Sequence, residues 1–118
     1  MAARPITITV KNSTGQKLLY KNSSMTHGKF PTDPTDVDDK GQIAFTATEM
    51  AWAMIGPEGV VRWQGAQTSG AFIISFVHPY GTGTTDVNPS EPQGWASEIT
   101  DDKLQQHDAS CTVTWSTF

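Results

Sequence analysis

The chain has 118 residues, enough for one hydrophobic core and too few for two domains. Its net charge of −4 argues against a nucleic-acid backbone as main partner and against simple electrostatic attraction to anionic lipid. Hydrophobic residues at 36% and charged residues at 17% are both low, as in β-proteins with many polar strand faces. The four Trp, five Phe and two Tyr nevertheless supply packing units that exclude disorder.

The elements run as follows. Ile6, Ile8 and Val10 alternate with Thr7 and Thr9, the pattern of a half-buried strand. Asn12-Ser13-Thr14-Gly15 is a turn signal, and residues 16–22 read as the returning strand. Residues 25–30 form a third short strand interrupted at Gly28. Residues 31–41 hold two prolines and four aspartates and read as a loop. Strand character returns over 42–48, with Ile43 and Phe45 on one side. The apolar run 49–55 is short and stops at Gly56-Pro57, so an irregular or extended segment is preferred to a helix. Residues 60–64 and 71–77 are strands joined by a hairpin loop. Residues 81–94, with Pro89 and Pro92, form a second long polar loop. Strands over 95–99 and 110–116 close the chain, with a polar connection over 101–108. The count of about eight strands predicts an all-β, single-domain antiparallel β-sandwich over residues 1–118, with its terminal strands close together. Exposed edge strands would allow a homodimer.

Catalytic and metal signatures are weak. His27, His78 and His107 are far apart and read as turn or surface residues, not metal ligands. Asp33, Asp36, Asp38 and Asp39 lack the pattern of an EF-hand and read as a solvated loop, with weak calcium binding the alternative. Gly56-Pro57-Glu58-Gly59 is not followed by Lys-Ser/Thr, so it reads as a tight turn with positive-φ glycines, not a phosphate loop. Cys111 is the only cysteine and alternates with Val113 and Trp115, which makes it a buried hydrophobe. No nucleophile, base and oxyanion donor converge in any motif, so an enzyme is the weakest class, and no cofactor is expected. Asn12-Ser13-Thr14 and Asn22-Ser23-Ser24 match the glycosylation pattern as short polar turns do by chance.

The aromatics carry more information. Phe45, Phe72 and Phe76 suit a core, and Trp63 faces in while Arg62 faces out. Trp52, Tyr80 and Trp95 lie in or beside loops. For Trp52 and Trp95, plugging an open end of the sandwich and contacting a ligand remain open alternatives. For Tyr80, between Pro79 and Gly81, surface contact is favoured.

The blocks Ile8-Thr9-Val10-Lys11-Asn12-Ser13-Thr14-Gly15, Gly28-Lys29-Phe30, Pro34-Thr35-Asp36-Val37, Gly56-Pro57-Glu58-Gly59 and His78-Pro79-Tyr80-Gly81 occur in a fixed order over nearly the whole chain. In these the chain resembles the aegerolysin family, and within it the small component of bacterial two-part insecticidal crystal proteins. The resemblance implies a β-sandwich without enzymatic activity that binds membrane lipid, often a sphingolipid, beside a larger partner toxin that completes a pore. It carries over Gly28, Lys29, Pro79, Tyr80 and Gly81; the lipid-binding candidates are His27, Gly28, Lys29, Tyr80 and Gly81, with Trp52 and Trp95 added from the aromatic reading. His27 stands where fungal members carry Trp, and Ile55 where they carry an acidic residue, so their lipid preference does not transfer. Tyr80 would wedge among headgroups, and Lys29 and His27 would contact a phosphate. Residues 1–5 contain no apolar signal core, so the expectation is cytoplasmic synthesis and unconventional release; the resemblance implies action at an insect midgut membrane. The alternatives are a glycan-binding lectin, which suits Trp and Tyr beside Asn and Asp, and a docking module for a pore-forming protein.

Overall fold

The computed structural model describes residues 4–51, 53–81 and 83–118. Trp52 therefore lies outside the described residues. Nine strands are present among these: β1 (Ile6–Ser13), β2 (Leu18–His27), β3 (Lys29–Thr32), β4 (Gln42–Thr48), β5 (Glu58–Gly65), β6 (Ala71–Val77), β7 (Asp86–Ser90), β8 (Trp95–Lys103) and β9 (Ala109–Thr117). They form a five-stranded sheet, β3-β4-β1-β9-β8, facing a four-stranded sheet, β2-β5-β6-β7. This is the expected β-sandwich, with two corrections.

The first is β7, which falls inside the stretch read as a polar loop. Pro89 and Pro92 argued against a strand there. At the sheet edge, however, β7 pairs only with β6, with Pro89 opposite Ile74, and proline's missing donor is tolerated in an edge strand. The second follows from the first. Strand direction alternates along the chain, so nine strands leave the first and last pointing the same way. β1 and β9 do lie side by side, but in parallel register from Ile6↔Ala109 to Ser13↔Ser116. Eight alternating strands would have made that pair antiparallel.

Alternation builds the core. Ile6, Ile8 and Val10 of β1 face inward, with Phe45 and Cys111 flanking Ile8 and Val113 beside Val10. The opposing sheet contributes Val61, Trp63, Phe72, Ile74 and Phe76. Trp63 is buried and Arg62 turns outward, as the sequence implies. A run of ring contacts threads the sandwich: Phe30–Phe45 at 6.0 Å, Phe45–Trp63 at 6.1 Å, Trp63–Trp115 at 5.7 Å, Trp115–Phe72 at 5.4 Å and Phe72–Trp95 at 5.7 Å. Such contacts add about 0.5–1.5 kcal/mol each beyond area burial.

The alternation also sorts the connections between two ends. Gly28 and the 49–57, 78–85 and 104–108 segments gather at one end, called here the Gly28 end. The 14–17, 33–41, 66–70 and 91–94 segments gather at the other, the Asn12 end.

Candidate functional site

The Gly28 end is built around a change of sheet. His27, the last residue of β2, pairs with Glu58 in one sheet, and Lys29, the first of β3, pairs with Thr48 in the other. Gly28 makes the step with φ +103°, and a Cβ there would come within 2.5 Å of the Thr48 carbonyl oxygen. Only glycine meets both conditions. His27 and Lys29 are thereby exposed on either side of it. Glu58 also pairs with Val77, the last residue of β6, so 78–81 begins beside the His27 step. His27, Gly28, Lys29, Tyr80 and Gly81 thus share one end. Trp95 does not. It pairs with Thr117 at the Asn12 end, stacks edge-on against Phe72, and donates from Nε1 to the Thr14 carbonyl at 3.2 Å.

The 49–57 segment crosses this end from β4 to β5. It contains no helix among its described residues; Ala53 N–H bonds to the Met50 carbonyl at 3.0 Å in a single turn. Three of its side chains are more than half exposed: Met50 (52%), Met54 (63%) and Ile55 (51%). Among the described residues the other large apolar side chain this exposed is Phe118, at the opposite end. Isolated surface hydrophobes need no explanation, but three on one short loop form a patch. Sequence reasoning had not assigned this patch to the site. Its signal was an apolar run too short for a helix and bounded by Gly-Pro, in a chain otherwise poor in hydrophobic residues.

Beneath the patch the loop is firmly held. Glu49 accepts Arg4 N–H with both carboxylate oxygens at 3.0 Å and Thr48 Oγ1 at 2.6 Å. Burial pushes the Glu49 carboxyl upward, but these hydrogen bonds outweigh it and hold the group below its usual value. Arg4 Nε donates to the Pro79 carbonyl at 2.7 Å, and His78 N–H donates to the Pro57 carbonyl at 2.9 Å. Gly56 packs so closely on the His78–Pro79 backbone that an added Cβ would overlap the His78 carbonyl oxygen. Neither Gly56 nor Gly59 has positive φ, contrary to the tight-turn reading; close approach is what excludes a side chain at Gly56.

His78 is a correction. It is fully buried, not a surface residue. It continues the inward phase of Phe72, Ile74 and Phe76, so the alternation itself marks it. Its Nε2 lies 2.7 Å from the His107 carbonyl, which can only accept, so Nε2 carries the proton of the neutral ring. Nδ1 then accepts from Thr85 Oγ1 at 2.6 Å. Burial lowers the pKa of His78 against the opposing effect of the His107 carbonyl, with the positive charge of Arg4 adding to the fall. Gln105 Nε2 donates to the Thr85 carbonyl at 2.8 Å and closes the arrangement. Tyr80 is half-buried next to this lock, with Gly81 exposed beyond it.

Two of the loop aspartates brace the Asn12 end. Asp36 Oδ1 accepts Tyr20 N–H at 2.7 Å, and Asp39 Oδ1 accepts Gly15 N–H at 3.1 Å. No cluster of three or more metal-ligating side chains occurs among the described residues. Cys111 is buried and its thiol is pushed up to about 11, chiefly by burial and then by Asp102, which leaves it inert.

No known family model matches the chain, and no curated protein matches it. Solved structures do. RahU protein, crystallised in complex with a TRIS molecule, superposes with a TM-score of 0.82 at 16% identity, covering 98% of this chain and 96% of its own. The lipid binding protein Nakanori gives 0.79 at 12% identity, covering 98% and 72%. IP-1A from Alcaligenes faecalis gives 0.72 at 13% identity, covering 97% and 91%. At such identities the likeness concerns the fold: this chain is a β-sandwich of the kind those three proteins share.

Proposed function

We propose that the protein is a non-enzymatic binder of membrane lipid that meets the bilayer with its Gly28 end. The observation that carries this reading is the exposure of Met50, Met54 and Ile55 on one loop anchored at both of its bases. Three large apolar side chains kept in water are costly unless a partner covers them, and a bilayer accepts an apolar tip of this size. The acidic balance of the chain fits apolar insertion better than attraction to anionic lipid. Lys29 and His27 stand on the same end, where a headgroup phosphate would lie, and Tyr80 brings an amphipathic ring. Nakanori, named as a lipid binding protein, has the same sandwich. With the resemblance to aegerolysins, the reading extends to a sphingolipid target and an insecticidal toxin component. It would act at a midgut membrane beside a larger partner protein that completes the pore.

The test is sedimentation with protein-free vesicles of phosphatidylcholine, a sphingolipid and a sterol in equal parts. Wild-type protein should pellet with them. Met54→Asp combined with Ile55→Asp should leave stability within about 0.5 kcal/mol, because both side chains are exposed, yet weaken binding about tenfold to a hundredfold. Full binding by the folded double variant would remove the apolar loop from the site.

A further inference from the structure

The apolar patch consists of two thioethers and one hydrocarbon side chain. Met50 and Met54 are both more than half exposed, whereas Met25, the other described methionine, is half-buried against the core. A thioether needs no activation to react with a peroxide, only access. We infer that Met50 and Met54 are oxidation sites through which peroxide turns off the lipid affinity of the 49–57 loop. This inference rests on the reading that the loop enters lipid.

In the step itself, a lone pair on Sδ attacks one oxygen of hydrogen peroxide and the O–O bond breaks. The S–O bond of a sulfoxide forms, and the sulfur is oxidised by two electrons. The departing hydroxide takes the proton from the transferred oxygen and leaves as water. Hydrogen peroxide is the only co-reactant. The product replaces a soft apolar group by a polar acceptor with no donor to meet it among hydrocarbon chains. Ile55 cannot be oxidised this way, so a residue of apolar contact survives and the loss is graded. Cys111 does not compete, because its buried thiol stays protonated. The reaction is reversed by two methionine sulfoxide reductases, one for each sulfoxide epimer, each supplied with a dithiol that is oxidised to a disulfide as the oxygen leaves as water.

The test compares untreated protein with protein treated with hydrogen peroxide until mass spectrometry shows sulfoxide at Met50 and Met54. Both are sedimented with the phosphatidylcholine, sphingolipid and sterol vesicles. Oxidised protein should bind about tenfold more weakly or worse, and treatment with the two reductases together should restore binding. A Met50→Leu, Met54→Leu protein should show the same binding before and after peroxide. Two results overturn the inference while leaving the lipid reading intact. One is undiminished binding by protein oxidised at both sites. The other is a peroxide-induced loss that persists in the double leucine variant, which would place the damage elsewhere. If untreated protein fails to bind, the lipid reading itself falls and the inference falls with it.

Discussion

The two ends of the sandwich solve the same problem in opposite ways. Each must close an open mouth of the core with connecting segments, whose backbone groups need partners. At the Asn12 end the closure is polar. Asn12 is buried, donates from Nδ2 to the Gln16 and Val37 carbonyls at 2.7 and 3.0 Å, and accepts Thr14 N–H and Oγ1 at 3.0 and 2.6 Å. Gln16 Oε1 accepts Gln67 N–H at 2.8 Å, and Val37 plugs the core while its backbone pairs with Leu18. Trp95 completes the seal. At the Gly28 end a similar set of internal bonds centred on His78, Arg4 and Glu49 lies beneath, but an apolar loop stands above it. The Asn12 end spends its polar groups on itself. The Gly28 end keeps its hydrogen bonds below and leaves its hydrophobic side chains outside. That difference, more than any single residue, is what favours the Gly28 end as the proposed binding end.

The comparison is broken most severely at Gly56. A methyl group there would overlap the His78 carbonyl, a backbone atom that cannot swing aside. Gly56→Ala should therefore cost about 3 kcal/mol or more in urea unfolding, and the folded fraction should bind vesicles poorly because the loop base has shifted. A loss under about 1 kcal/mol would mean that the loop base is not held as tightly as the His78–Pro79 packing implies.

Asn12→Ala tests the opposite end. It removes a buried side chain that serves four backbone groups and the Thr14 hydroxyl, so about 2–3 kcal/mol should be lost. Vesicle binding by the protein that remains folded should not change, because no residue of the Gly28 end touches Asn12. A parallel loss of vesicle affinity would show that the two ends are coupled through the core.

How far the sequence foretold this contrast differs between fold and site. The alternation in β1, β4, β5, β6 and β9 placed the core residues correctly, because one buried face imposes a period of two. β7 was hidden because Pro89 and Asn88 are poor strand formers whose cost vanishes at an edge. The Gly28 step was visible as a break, but not as a crossing between sheets, which depends on long-range pairing with Thr48 and Glu58. Trp95 and Tyr80 could be placed beside loops, yet nothing local says which end a loop caps. The exposed Met50, Met54 and Ile55 were hardest to anticipate, since an apolar run reads as buried until the fold shows that no core space is left for it.

Acid should separate the two ends further, with a smaller effect per step. His78 is buried neutral, so its pKa in the folded protein lies below the ordinary 6.5. Above pH 6.5 neither the folded nor the unfolded chain holds the extra proton, and the contribution to stability is fully present. As the pH falls below 6.5 the unfolded chain takes up a proton that the folded ring refuses, and stability declines until the folded pKa is passed. The slope for one proton is at most about 1.4 kcal/mol per pH unit. Glu49 acts later: its carboxyl is held below 4.5, so its contribution is intact above that pH and is lost only beneath it. Arg4, Glu49 and His107 are the charged or titratable groups acting on His78, and none of them is an Asn12-end residue. Amide protection factors, corrected for the intrinsic exchange rate at each pH, should therefore fall at His78, Thr85 and Ala109 between pH 7.5 and pH 5.5 and stay flat at Asn12, Thr14 and Gln16. His78→Gln should lower stability at both pH values but flatten the urea midpoint between them. Equal loosening of both ends, or an unchanged slope in His78→Gln, would remove His78 as a source of greater acid sensitivity at the Gly28 end.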